Sequence, residues 1–154
     1  MPTFFYLPDL GAGWKDRLFH ELFEWAENRG AIKGSYFFKH FSIRNRKPWF
    51  LNFKFRRKSV VSINRLRSGH TTLAECLFNH NIIDSPLCDC GNTQSSNHIF
   101  WQCPLLNEER KDLLRSLHGL DLTGPFCIEQ FLHLMTPEIV YAIASFIGAI
   151  STRI

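Results

Sequence analysis

The sequence predicts a mostly α, small helical domain wrapped around a tight cysteine–histidine turn, with a basic extended arm on its N-terminal side. Three observations predict it. Apolar residues recur at three- and four-residue spacing in six stretches of the 154-residue chain, the spacing of one helix face. Three cysteines and a histidine fall within residues 88–103 as C-x-C-x7-H-x4-C. Residues 28–74 hold twelve Lys or Arg and no Asp or Glu. A hydrophobic share of 45% against 21% charged residues describes a globular chain that can bury a core, one domain overall.

Four stretches follow in order. Residues 1–13 read as a linker punctuated by Pro2, Pro8, Gly11 and Gly13. Residues 14–70 read as a helix plus the basic aromatic arm. The helix, 14–29, repeats Trp14, Leu18, Leu22 and Trp25/Ala26 as a core-facing stripe, and Gly30 stops it. Within the arm, Leu51, Phe53 and Phe55 alternate with Asn52, Lys54 and Arg56, the period of a strand or extended segment. A second helix is predicted over 59–67, ended by Ser68-Gly69, and His70 beyond it reads as a surface or capping histidine.

Residues 71–120 form the metal-binding helical module. Thr72-x-x-Glu75 reads as a capping box opening a helix with Leu73, Cys76, Leu77 and His80 on one side, broken by Asp84-Ser-Pro86. Pro104 opens another, with Glu108 and Glu109 early, Arg115 late, an apolar stripe of Leu106, Leu113, Leu114 and Leu117, and Gly119 as its stop. Residues 121–154 supply C-terminal helices that pack on the module. Ile128, Phe131, Leu132 and Met135 mark a short one, and Thr136-Pro137-Glu138 starts the last, whose face is Ile139, Ile143, Phe146, Ile147 and Ile150. That helix is shorter than the roughly 20 apolar residues of a membrane span, so no membrane association is expected.

Cys88, Cys90, His98 and Cys103 are the ligand count and chemistry of a closed structural zinc site, a zinc-knuckle turn. Four such side chains converge only if the chain reverses between them, and Gly91-Asn92 supplies residues that tolerate left-handed backbone. Ser95 or Ser96 can cap a short helix presenting His98. Pro104 biases Cys103 away from helix, so that helix ends near Gln102 and Cys103 sits at the next helix N-terminus, where a thiolate is favoured. Unligated buried thiols are the alternative. Five cysteines, an odd number, and no basic segment before the first apolar residues argue against a secreted disulfide framework and predict an intracellular chain, nuclear or cytoplasmic. Cys76 and Cys127 read as core residues on apolar stripes.

The block 28–74 carries +12 and the remainder six basic against fourteen acidic residues, or −8, so the net +4 hides a segregated chain. One-signed blocks commonly meet polyanions, RNA or DNA. Candidate contacts are Arg44, Arg46, Lys47, Trp49, Lys54, Arg56, Arg57, Lys58, Arg65 and Arg67. Aromatics interleaved with cations can stack bases while the charges hold phosphates. The same pattern also describes an arm laid over a hydrophobic core, or a solvated face pairing with the acidic remainder.

The runs Ile63-Asn-Arg65-Leu-Arg67-Ser-Gly69-His70-Thr, Asp84-Ser-Pro86-Leu-Cys88-Asp-Cys90-Gly91 and Asn97-His98-Ile-Phe-Trp-Gln-Cys103-Pro104 resemble the C-terminal region of proteins from non-long-terminal-repeat (LINE-type) retrotransposons. Lys47-Pro48-Trp49-Phe50 and the helix at Trp14 are similar to the same tail. In that family the segment follows a reverse transcriptase and, in many elements, a ribonuclease H domain. The resemblance implies a zinc-binding cysteine–histidine module that contacts template RNA or target DNA, with those two domains as possible partners. The family often has an acidic residue before the histidine, where this chain has Asn97. No Tyr-x-Asp-Asp sequence is present, and 28–74 lacks the acidic residues that two-metal ribonuclease H chemistry requires, so no catalytic activity is expected.

Overall fold

A computed structural model describes residues 13–30, 32–41, 47–120, 122 and 124–150. Its helices run α1 (Trp14–Gly30), α2 (Ser35–Phe41), α3 (Arg57–Ser68), α4 (Ala74–Asn79), α5 (Asn107–His118), α6 (Ile128–Leu134) and α7 (Pro137–Ile150). Between α4 and α5 lie a wide π turn, His98–Gln102, and a 3-10 turn, Pro104–Leu106. No strand forms among the described residues, and none of their helices is long and apolar enough to cross a membrane.

α7 is the central element. Ile139, Ile143, Phe146, Ile147 and Ile150 are all buried, as their spacing predicts. α5, α3 and α6 all pack on α7, and Leu113, Leu117, Ile63, Leu66, Ile128 and Leu132 are their buried side chains. Each such side chain contributes about 1.5–3 kcal/mol on burial. α2 rests on α3 and α6 and inserts Phe41, only 1% exposed. Gly69 ends α3 at φ +71 with its N–H on Leu66 O, the left-handed stop the sequence predicts.

Several expectations are corrected. The Leu18, Leu22 and Trp25 stripe of α1 does not enter the core: these side chains are 44, 56 and 58% exposed. Trp14 and Ala26 of the predicted stripe are half-buried, as are Phe19 and Phe23 of a second apolar stripe, and α1 packs on α2. Gly30 ends α1 against the Phe38 ring, where a Cβ would collide with the ring, so glycine suits this place.

The described part of the extended arm, 32–41 and 47–56, is α2 followed by turns and an irregular stretch. Leu51 N–H bonds Pro48 O (3.1 Å) and Phe53 N–H bonds Phe50 O (3.1 Å), satisfying backbone groups that a lone strand would leave unpaired. Phe53 and Phe55 stack at 5.3 Å, Phe55 meets Tyr141 of α7 at 4.6 Å, and Leu51 turns outward. Most of the 1–13 linker lies outside the described residues.

The capping box at Thr72 does not form. α4 starts one residue later, at Ala74, and its first N–H is taken by Gln94 Oε1 at 2.7 Å. α4 also stops at Asn79, well before Asp84. Cys127 precedes α6 and Cys76 hydrogen-bonds Gly69 O, so both are half-buried polar partners and not core residues.

Candidate metal centre

The first two donors sit on a tight reversal. An antiparallel bridge between Leu87 and Thr93 closes it, Cys88 N–H bonds Asn92 O at 2.7 Å, and Gly91 N–H bonds Cys88 O at 2.8 Å. Gly91 takes φ +89, which a side chain would strain. The single residue between Cys88 and Cys90 therefore suffices to aim both thiols at one point.

The other two donors sit on a turn that an α-helix could not provide. Residues five apart on an α-helix point about 140° away from each other. Here Cys103 N–H reaches back to His98 O at 2.8 Å, an i→i+5 bond whose wider turn brings both side chains to one side. Ser95 Oγ accepts from His98 N–H at 3.0 Å, the cap expected of a serine at that place. Pro104 follows as the first residue of the 3-10 turn, ending the π turn at Gln102.

The four donor atoms of Cys88, Cys90, His98 and Cys103 lie within 4.8 Å of one another and can hold a metal ion. Cys88 Sγ is 3.8 Å from Cys103 Sγ, and Cys90 Sγ is 3.2 Å from His98 Nε2, so Nε2 faces the cluster. His98 is buried, and burial together with the Arg110 charge lowers its pKa, keeping the imidazole neutral as a ligand must be. The Asn92 backbone N–H lowers the Cys90 pKa and so favours its thiolate. Burial instead pushes the Cys103 thiol up to about 11, against the expectation that its place before a helix favours the thiolate. Without a cation the desolvation of Cys103 outweighs the nearby Leu105 N–H.

The support for this cluster comes from residues the sequence reading passed over. Arg110 is 6% exposed and gives three hydrogen bonds to carbonyls of the turn and one to Asn107 at the start of α5. Nε donates to Phe100 O (2.7 Å), Nη2 to Cys103 O (2.7 Å) and Ile99 O (3.2 Å), and Nη1 to Asn107 Oδ1 (2.8 Å). The need is local: Pro104 has no N–H for Phe100 O, and the Cys103 N–H is spent on His98 O. Asn97, where the resembled family often has an acid, instead bridges to α6. Its Oδ1 accepts from Ile128 N–H (2.8 Å) and its Nδ2 donates to Glu129 Oε2 (3.0 Å). Tyr36 O–H donates to Glu129 Oε1 at 2.7 Å, and Cys127 Sγ also donates to this carboxylate. Burial raises the Glu129 pKa, but those three donors together hold it below its ordinary value.

The basic candidates divide. Arg44 and Arg46 lie outside the described residues. Lys54, Arg56, Arg57 and Lys58 are exposed around the start of α3, Arg65 is exposed further along it, and none of the five forms an ion pair among the described residues. Positive charge at a helix N-terminus opposes the helix dipole, so Arg56, Arg57 and Lys58 do not serve α3 itself, whereas Arg65 in its last turn complements the dipole. Lys47 is exposed too. Trp49 is half-buried and donates Nε1–H to Asn64 Oδ1 at 2.7 Å. Arg67 is half-buried, its guanidinium 5.5 and 5.4 Å from the Phe37 and Phe41 ring centroids. His70 is exposed, as expected.

Comparison with protein-family models, curated proteins and solved structures finds no match to this chain.

Proposed function

We propose that this chain is a non-catalytic, zinc-structured nucleic-acid-binding module, derived from the C-terminal tail of a LINE-type reverse transcriptase polyprotein. The observation that carries the proposal is the convergence of three thiols and one imidazole within 4.8 Å. A tetrahedron with Zn–S bonds of about 2.3 Å has S···S edges of about 3.8 Å. The Cys88–Cys103 separation of 3.8 Å is consistent with such an edge. Thiolate and imidazole donors favour zinc over magnesium or calcium. Four protein ligands leave no open position for a substrate, so the metal acts by fixing the zinc-knuckle turn. Lys54, Arg56, Arg57, Lys58 and Arg65, free of acidic partners among the described residues, then supply the phosphate contacts.

The test is the zinc content of the protein purified without chelator, beside Cys103→Ala, with circular dichroism on both. One zinc per chain, lost together with folding in the variant, supports the reading. A folded wild-type chain without zinc sinks it. Binding to RNA or DNA is expected to fall steeply with salt.

A second reading is supported by the outward Leu18, Leu22 and Trp25 stripe of α1. In it the chain is an interaction module that docks on a reverse transcriptase or ribonuclease H domain. Heparin displaces a polyanion from the basic face and leaves an apolar docking contact in place.

A further inference from the structure

A slot opens between α3, residues 71–73, the π turn and α7. Its floor is apolar and buried: Leu66, Leu73, Ile99, Phe100 and Ile147. Its rim is polar and cationic. Lys58, Ser62 and Arg65 stand at i, i+4 and i+7 on one face of α3, and the Thr71 and Thr72 hydroxyls stand opposite. The volume is about 150 Å³. That is well below the roughly 300–1,000 Å³ of sites for whole cofactors or drug-sized ligands, and suits a single ring system. No acidic residue lines it, and among the described residues neither Lys58 nor Arg65 forms an ion pair. Three larger cavities, of about 370, 360 and 380 Å³, are each lined by at least one acidic residue and by no Lys or Arg, and so repel a polyanion.

We propose that this slot takes one unstacked base of a single-stranded nucleic acid, with Lys58 and Arg65 holding the phosphates on either side. An apolar floor beneath two unpaired cations matches the two halves of a nucleotide, a desolvating ring and an anion. A duplex presents its bases stacked and paired, so the slot selects single strands, loops or bulges. The floor residues Ile99 and Phe100 belong to the turn that carries His98 and Cys103, so metal binding shapes the slot. The proposal rests on the nucleic-acid reading above.

The experiment compares a ten-nucleotide single-stranded RNA, the same length of single-stranded DNA, and an abasic ribose-phosphate strand of equal charge, by fluorescence anisotropy. The metal-loaded full chain is used, as wild type and as Ser62→Phe, which fills the slot from its rim. Wild type is expected to bind the base-bearing strands about tenfold tighter than the abasic strand. Ser62→Phe is expected to reduce them to the abasic level while leaving abasic binding unchanged. The RNA and DNA arms decide which sugar is preferred. Equal wild-type affinity for base-bearing and abasic strands overturns the slot while leaving the nucleic-acid reading standing. No binding of any strand overturns both. The wild-type comparison decides the matter even if Ser62→Phe does not fold, and Thr72→Trp gives a second way to close the slot from an exposed position.

Discussion

Replacing Arg110 by methionine keeps an unbranched chain of similar length and removes a guanidinium that makes four hydrogen bonds to the metal-centre turn and its flank. Three of those bonds go to the Ile99, Phe100 and Cys103 carbonyls, and the backbone offers no substitute where Pro104 lacks an N–H. A buried acceptor left without a donor costs about 1–3 kcal/mol. The Cys103 carbonyl keeps the Leu106 N–H (3.3 Å), so two acceptors, Ile99 O and Phe100 O, lose their donor, a loss of about 2–4 kcal/mol. For a chain of this size that is a fall in Tm of about 4–16 °C, at roughly 2–4 °C per kcal/mol. Arg110→Lys restores the charge without the planar fork and should recover only part of the loss. The assay is guanidinium denaturation of the metal-loaded proteins, followed by circular dichroism, with chelator competition for metal affinity. Affinity should drop about 10–100-fold in Arg110→Met, as for other groups that orient ligands from behind. A methionine variant within about 0.5 kcal/mol of wild type, the range of an ordinary surface change, would refute the reasoning.

Asn97→Ala removes the acceptor of the Ile128 N–H and a donor to Glu129, and should cost about 1–2 kcal/mol in thermal denaturation while all four ligands remain. The His98 pKa is lowered from 6.5 by burial and by Arg110. A ligand imidazole must be neutral, so falling pH weakens metal binding as protons compete for His98, and its lowered pKa extends retention toward lower pH. Arg110→Met removes one cause of the depression and should move release, followed with a metallochromic dye, to higher pH. Leu22→Glu, on the outward stripe of α1, should change stability by less than about 0.5 kcal/mol, whereas Phe41→Ala should cost about 3–5 kcal/mol in the same denaturation series. Chelation should remove hydrogen-exchange protection from α5 and α6 together with residues 88–103; loss confined to 88–103 would show the centre to be a local clip.

The parts legible in the sequence are those whose physics is local. Gly69 ends α3, Pro104 ends the π turn, Ser95 caps it, and the apolar period places α7 in the core, because each depends on residues a few positions apart. The four clustered donors that can hold a metal were legible for the same reason, all lying in sixteen residues. Arg110 was not, since a basic residue on an amphipathic helix ordinarily faces water. The signal available was indirect: Pro104 deletes a donor, and an unmet carbonyl needs a partner from elsewhere. α1 misled because it bears two apolar stripes, and which one is buried depends on where α2 lies. Gln94 displaced the expected capping box from twenty residues away, a contact no local pattern encodes.

These long-range contacts give residues 94–103 a role beyond holding donors. Gln94 ties the stretch to α4, Asn97 ties it to α6, and Arg110 ties it to α5. Phe100 meets Phe146 of α7 at a centroid distance of 5.0 Å and anchors the turn in the core. Four helices therefore meet at one ten-residue segment whose own backbone is a π turn, a form rarely stable by itself. Under the proposed zinc reading, metal binding contributes on the order of 10–16 kcal/mol, as measured for isolated fingers. A domain of this kind has a net stability of about 5–15 kcal/mol. With these two magnitudes comparable and the contacts shared among four helices, loss of the metal removes the common anchor of the domain, and the fold and the basic face of α3 are expected to be lost in one transition.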